Sequence, residues 1–224
     1  MDWKIELNEN YDYYEVLPKP SSQELSEYYA TKYFQVEERY SHSYSEEELT
    51  YQNNKIDQKH FVINQMSDRD SSGRLLDIGC GEGFGLEFYL KKGWDVTGID
   101  FSDFGLNNFH PHLKDKLLKG DIFDSIEVLL DRNEQYDVVW LDNVLEHVID
   151  PKNLVSACHQ LLKPGGVFVV EVPNDCSLFQ QSLIESQKVS KEYWVAYPDH
   201  LNYFTRKGLI DLCNAFEWKQ DKVI

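Results

Sequence analysis

Hydrophobic and polar positions change rhythm once along the chain. From Arg74 onward, apolar runs of strand length alternate with stretches of helical period. Leu75–Ile78, Asp95–Ile99, Lys116–Lys119, Val138–Leu141 and Val167–Val172 read as strands. Phe84–Lys92, Phe104–Phe109, Ser125–Leu130 and Asn153–Leu162 read as the helices between them. Strands alternating with helices predict parallel pairing through right-handed crossovers, and hence a Rossmann-like, doubly wound α/β sheet with helices on both faces. Lys163-Pro164-Gly165-Gly166 is expected to stop a helix before the fifth strand. Beyond it, Leu178–Lys188 and Thr205–Phe216 read as helices, the second N-capped by Thr205, and Glu217–Ile224 as one more strand.

Residues 1–70 have another texture, polar and tyrosine-rich. Ser22–Gln35 and Ser45–Met66 carry serine and acidic residues at their starts, which predicts two capped helices. The run Ser67–Gly73 is the boundary candidate. The organisation expected is therefore a helical cap, 1–70, and an α/β domain, 71–224.

Composition narrows the partners. The 22 Lys and Arg stand against 39 Asp and Glu, a net charge of −17, with no basic cluster to offset it. Nucleic acid and anionic membranes would be repelled by such a surface, so a small-molecule partner is expected. No run approaches the ~20 apolar residues of a membrane span, and Met1–Asn10 lacks the features of a secretory signal, so the expected location is the cytoplasm. Cys80, Cys158, Cys176 and Cys213 are too scattered for a zinc knuckle or a disulfide framework; reduced thiols are expected.

The chemistry begins where the first strand enters a glycine-rich turn, Asp77-Ile78-Gly79-Cys80-Gly81-Glu82-Gly83-Phe84-Gly85. Such a turn brings backbone close to a ligand beyond the strand ends. The dinucleotide pattern G-x-G-x-x-G fails in both registers, because Phe84 or Leu86 occupies the third glycine position. Asp77 would repel a pyrophosphate and pair with an ammonium, so the cofactor expected carries an amino group here and no phosphate. A nicotinamide-dependent oxidoreductase is thereby disfavoured.

Asp77-x-Gly79-x-Gly81-x-Gly83 resembles the first motif of the class I S-adenosylmethionine-dependent methyltransferases. Asp100-Phe101-Ser102, Gly120-Asp121-Ile122, Asp137–His147 and Leu161–Gly166 resemble the later motifs in order, over about residues 70–215. The resemblance implies S-adenosylmethionine as cofactor. It implies Asp77, Gly79, Cys80, Gly81 and Gly83 around its amino-acid end, and Asp100 on the ribose hydroxyls with Phe101 and Ser102 beside it. Asp121 and Ile122 are implied at the adenine, and Leu141 and Asn143 also at the cofactor. That sheet normally ends with a sixth strand and a seventh, antiparallel one; a single strand follows Phe216 here, so either the chain continues beyond Ile224, the favoured expectation, or the sheet is incomplete.

Methyl transfer to a hydroxyl needs a proton acceptor, for which histidine is suited near neutral pH. His200, in Tyr197-Pro198-Asp199-His200-Leu201-Asn202-Tyr203-Phe204-Thr205, is the first candidate and His147 the second. The former stretch is similar to one in small-molecule methyltransferases of bacterial surface-sugar pathways. His147 follows Glu146, and related quinone-biosynthesis methyltransferases place a metal on Glu-x-x-Glu-His; with Asn143 in the first acid position, no metal is expected. Packing roles for both histidines are the rival reading. Tyr29, Tyr33, Tyr197 and Tyr203 are the candidate acceptor walls. O-methylation of a sugar or surface-glycan precursor is the expectation; N-methylation of a small amine and cofactor binding without catalysis are the alternatives.

Overall fold

A computed structural model describes residues 3–32, 43–66 and 72–216. The chain divides into two compact units, each assembled from separate stretches: 1–26, 143–156 and 171–224 form one, and 27–142 with 157–170 the other.

The larger unit holds a five-stranded parallel sheet. Its strands are β3 (Arg74–Ile78), β4 (Asp95–Asp100), β5 (Leu117–Lys119), β6 (Tyr136–Asp142) and β7 (Leu162–Glu171), in spatial order β5-β4-β3-β6-β7. β3 pairs in parallel with β4 from Arg74↔Asp95 to Ile78↔Ile99, and with β6 from Leu75↔Val138 to Ile78↔Leu141. The chain works outward from β3 to β5, then returns to β6 on β3's other side. That reversal makes the carboxyl ends of β3 and β6 the switch point of the sheet, the position at which open α/β sheets receive ligands.

Strands covered on both faces need apolar residues at successive positions rather than alternate ones. Leu75, Leu76 and Ile78 are fully buried, and β6 is buried from Tyr136 to Leu141. The helices α2 (Glu46–Met66), α3 (Phe84–Lys91), α4 (Phe104–Phe109), α5 (Ile122–Asp131) and α6 (Pro151–Leu161) fall where the period predicts, within a few residues. Ser45 and Glu48 close a reciprocal cap at the start of α2, so the serine–acid pattern there was correctly informative. α2 buries Ile56 and Ile63 in one core with Leu86, Tyr89, Trp94 and Trp140. One boundary differs: β7 begins at Leu162 and contains Lys163–Gly166, with Gly165 at φ 76°, where a turn was expected.

In the smaller unit, a hairpin stands ahead of the first expected helix, at residues where the sequence reading placed no element. β1 (Lys4–Asn8) pairs antiparallel with β2 (Tyr13–Leu17), and β2 with the two-residue β8 (Asn202–Tyr203). Val16, Leu145, Leu201 and Tyr203 are fully buried here, and Tyr13 stacks on Phe204 at 4.8 Å. α1 (Ser22–Lys32) follows the hairpin, its first turn capped by Ser21 and Glu24. α7 (Leu178–Glu185) opens with a capping box, Ser177 and Gln180, and α8 (Arg206–Asn214) with Thr205 accepting from the Gly208 amide at 2.9 Å. The strand expected over Glu217–Ile224 lies outside the described residues. All four cysteines are free thiols.

Candidate active site

The glycine loop joins β3 to α3. The Gly79 and Cys80 amides both donate to the Ile99 carbonyl, at 2.7 and 3.1 Å, which folds the loop over the end of β4. Gly79, Gly81 and Gly83 have φ of 75°, 53° and 81°, the left-handed region where a side chain is costly. Gly85 serves a different end: a Cβ there would stand 2.7 Å from Asp77 Oδ2, so the missing side chain lets α3 begin against that carboxylate. Cys80 is buried, its sulfur filling the space over Gly98 where a Cβ would come within 2.7 Å.

Three carboxylates stand at the carboxyl ends of adjacent strands: Asp77 near the end of β3, Asp100 of β4 and Asp142 of β6. Asp100 accepts from the Gly81 amide at 2.8 Å and the Ser102 amide at 2.9 Å, one on each oxygen. Each oxygen keeps a second lone pair, enough for two neighbouring hydroxyls. Burial holds the Asp100 carboxyl above its ordinary range despite those bonds. Asp77 is buried more completely, and burial together with the Asp142 and Asp100 charges pushes it up to about 7.

Lys59, absent from any sequence motif, reaches this cluster from α2. Its ammonium lies 2.6 Å from Asp142 Oδ2 and 5.1 Å from the centre of the Trp140 ring, and it lowers Asp77 against the other influences. Lys55, one helical turn earlier, stands 3.9 Å from Asp142. Among the expected cofactor residues, Leu141 is fully buried, Ser102 is buried, and Phe101 and Asn143 are exposed. Asp121 caps α5, accepting from the Phe123 amide at 2.8 Å and the Asp124 amide at 3.3 Å, and Ile122 is half-buried beside it.

In the smaller unit, His147 and His200 come together as the sequence could not show, their rings edge to face at 4.8 Å. His147 Nδ1 donates to the Asp199 carbonyl at 2.6 Å, which fixes its tautomer and leaves Nε2 bearing the lone pair. That Nε2 lies 3.8 Å from Oε1 of Glu146, which is buried. His200 Nδ1 is buried without a hydrogen-bond partner. Ligand atoms of Glu146, His147 and His200 all lie within 4.8 Å of one another. Burial holds both imidazoles below their ordinary value, His200 further through its neighbour His147.

The backbone here is pinned from several sides. The Glu146 carbonyl accepts from the Leu201 and Asn202 amides at 2.8 and 3.1 Å, and Tyr203 Oη donates to the His200 carbonyl at 3.0 Å. The Asn202 side chain, fully buried, donates to the Leu145 and Val148 carbonyls and accepts from Lys19. Tyr203 is thus a buried residue whose hydroxyl holds main chain, and Tyr197 stacks on Trp3 at 4.7 Å. Tyr29 lies in α1 and Tyr33 lies outside the described residues. Glu146 enters the sequence reading only as the acid before His147; its burial is the signal that marks it.

A glycine loop, strand-end acids and this strand order together define a Rossmann-like methyltransferase fold. A solved S-adenosylmethionine-dependent methyltransferase from Archaeoglobus fulgidus shares it, with a TM-score of 0.56 at 22% identity over 83% of this chain and 73% of that one. The family described as a methyltransferase domain matches residues 25–223, and the chain belongs to it; S-adenosylmethionine is its cofactor. The ubiquinone biosynthesis O-methyltransferase of Shewanella halifaxensis is 30% identical over 158 residues, 69% of this chain and 67% of that protein. The one from Ruegeria pomeroyi is 39% identical over 102 residues, 45% of this chain and 41% of that protein. The chain thus spans from about two fifths to two thirds of the length of these relatives. Among the described residues no helix is long and apolar enough to cross a membrane.

Proposed function

We propose that this chain transfers a methyl group from S-adenosylmethionine to a hydroxyl of a small polar acceptor. The observation that carries the cofactor half is the excess of buried carboxylate at the ends of β3, β4 and β6, set against Lys59. A site with that balance favours a cation, and the cofactor brings two positive groups, ammonium and sulfonium. Asp77 answers the ammonium and Lys59 the carboxylate of its amino-acid end, while Asp100 offers its free lone pairs to the ribose hydroxyls. Asp121 and Ile122 face the adenine in this reading, with Asp121 also capping α5.

The cofactor supplies an electrophilic methyl carbon. With the cofactor held by Asp77, Lys59 and Asp100, an acceptor oxygen in line with its carbon–sulfur bond would take the methyl carbon, and the electron pair of the broken bond would stay on sulfur. The hydroxyl proton must then leave, and His200 Nδ1 is the atom to accept it: a lone pair on a backbone fixed through Ala196, Glu146 and Tyr203. His147, held by the Asp199 carbonyl, orients the pair.

Sugars or surface-glycan precursors are the favoured acceptors, on the likeness of the Tyr197–Thr205 stretch. The relatives named above favour a second reading, an acceptor from ubiquinone biosynthesis. Calorimetric titration with S-adenosylmethionine, with NAD as control, tests the cofactor; transfer of labelled methyl to a panel of both acceptor classes tests the rest. Binding of NAD alone would overturn the cofactor assignment. Full activity in His200→Ala would favour an amine acceptor over a hydroxyl.

A further inference from the structure

We propose that Tyr44 is a positioning residue for the cofactor, acting through Glu82 to hold the second half of the glycine loop in the shape that receives the cofactor's amino-acid end. The loop needs such a restraint. Gly79, Gly81 and Gly83 give it a free backbone, and a loop that is loose when empty must be ordered on binding, at a cost in affinity. Its first half is held by main chain, the Gly79 and Cys80 amides on the Ile99 carbonyl. Glu82, between Gly81 and Gly83, is the residue by which side chains can grip the rest.

Two side chains do so. The Tyr44 hydroxyl lies 2.9 and 2.8 Å from the two Glu82 carboxylate oxygens and shares its proton between them, a charge-assisted bond. His110 Nδ1 donates to the Glu82 carbonyl at 2.7 Å, so both the side chain and the main chain of Glu82 are fixed. α4 is drawn in beside them: a Cβ on Gly105 would stand 2.9 Å from the Gly81 carbonyl oxygen. Tyr44 is itself set in place. Its ring centre lies 5.4 Å from that of Phe84, edge to face, and 5.2 Å from that of Phe109. The reciprocal Ser45–Glu48 cap follows at once, so α2 starts where Tyr44 meets the loop. Further along the same helix Lys59 holds Asp142 at 2.6 Å. α2 is therefore tied to the glycine loop at its start and to the end of β6 in its second half. Asp100, assigned above to the ribose, keeps its bond from the Ser102 amide whatever Glu82 does, so the effect of Tyr44 falls on the amino-acid end. This rests on the reading that places that end on Asp77 and Lys59.

The test is calorimetric titration of the full chain with S-adenosylhomocysteine, which carries the amino-acid end, and with adenosine, which lacks it. Tyr44→Phe keeps the ring contacts and removes the hydroxyl. It is expected to weaken S-adenosylhomocysteine about tenfold and adenosine by less than about twofold, whereas a merely structural role would weaken both alike. Glu82→Ala should do the same, and the double variant should lose no more than Glu82→Ala alone, because the two substitutions break one bond. Glu82→Gln, still an acceptor for Tyr44, should recover part of the loss. Tyr51→Phe, on an exposed tyrosine of α2, should change neither affinity. Unchanged S-adenosylhomocysteine binding in Tyr44→Phe, equal losses for the two ligands, or additive losses in the double variant each overturn the proposal. Asp77→Asn separates it from the reading it rests on. If Asp77→Asn binds both ligands as the wild type does while Tyr44→Phe loses S-adenosylhomocysteine alone, the placement on Asp77 falls and Tyr44 stands. If Asp77→Asn weakens S-adenosylhomocysteine and Tyr44→Phe weakens neither ligand, Asp77 stands and Tyr44 falls.

Discussion

Gly85 stands against Asp77 so closely that a single added carbon would lie 2.7 Å from the carboxylate oxygen. Three glycines of the loop answer to backbone conformation, whereas the fourth answers to this one neighbour. The start of α3 is thereby brought up to the acid proposed to meet the cofactor's ammonium.

Gly85→Ala is therefore expected to displace Asp77 and weaken S-adenosylmethionine binding about tenfold or more, roughly 1.4 kcal/mol. Overpacking should also cost stability, on the order of 1–3 kcal/mol. Calorimetry and denaturant unfolding on the same preparation would separate the two effects; unchanged affinity would show that the contact is mere packing.

With Asp77 on the cofactor's ammonium as proposed, cofactor binding is expected to depend on pH. The bound cation favours the carboxylate, so affinity should rise as pH increases through about 7, with one proton released per cofactor bound. Heats of binding in buffers of different ionisation enthalpy would count that proton. The stability effect has the opposite sign. Unfolded Asp ionises near ~3.9, so between about 4 and 7 the native chain holds a proton that the unfolded chain has lost. Asp77 thus makes its full contribution below that window and loses it as pH rises to about 7. Asp77→Asn should abolish both dependences and bind the cofactor more weakly.

Lys59→Met keeps an apolar stem against Trp140 and removes the charge that lowers Asp77. The pH midpoint of cofactor binding should move upward, and affinity at neutral pH should fall. A midpoint that stays in place would mean that Lys59 is screened from Asp77.

Asn202→Ala leaves the Leu145 and Val148 carbonyls without a buried donor. The expected loss is roughly 2–4 kcal/mol of unfolding free energy, read from chemical denaturation. A loss near zero would show that water replaces the amide.

Asp121→Ala should cost about 1 kcal/mol through the lost cap of α5. Affinity for S-adenosylmethionine tells whether the same carboxylate also meets the adenine: a severalfold drop is expected, and an unchanged value would leave Asp121 a cap alone.

The parallel sheet was legible because its strands are buried on both faces and punctuated by glycine. Asp77 and Asp100 were legible because a strand end beside a glycine turn constrains what can stand there. The hairpin was not. Lys4–Asn8 and Tyr13–Leu17 are short and polar on one side, and their partner is a two-residue strand near the other end of the chain. Lys59 escaped because a lysine on an otherwise polar helix has no local mark; only the packing of α2 beside β6 shows its carboxylate partner. His147 and His200 were each visible singly, but their meeting belongs to tertiary structure.

The Lys19–Asn202 hydrogen bond joins residues 183 apart. β2 and the residues around Glu146 must both wait for this late segment, since β8 and Asn202 close the unit that contains them. On a ribosome the hairpin emerges long before its partner strand, and two strands alone are marginally stable in water. The histidine pair is consequently assembled only once the segment around residue 200 has been made. A nascent chain can order its cofactor-binding strands while it still lacks the group proposed to take the acceptor's proton, so that group joins a sheet already formed.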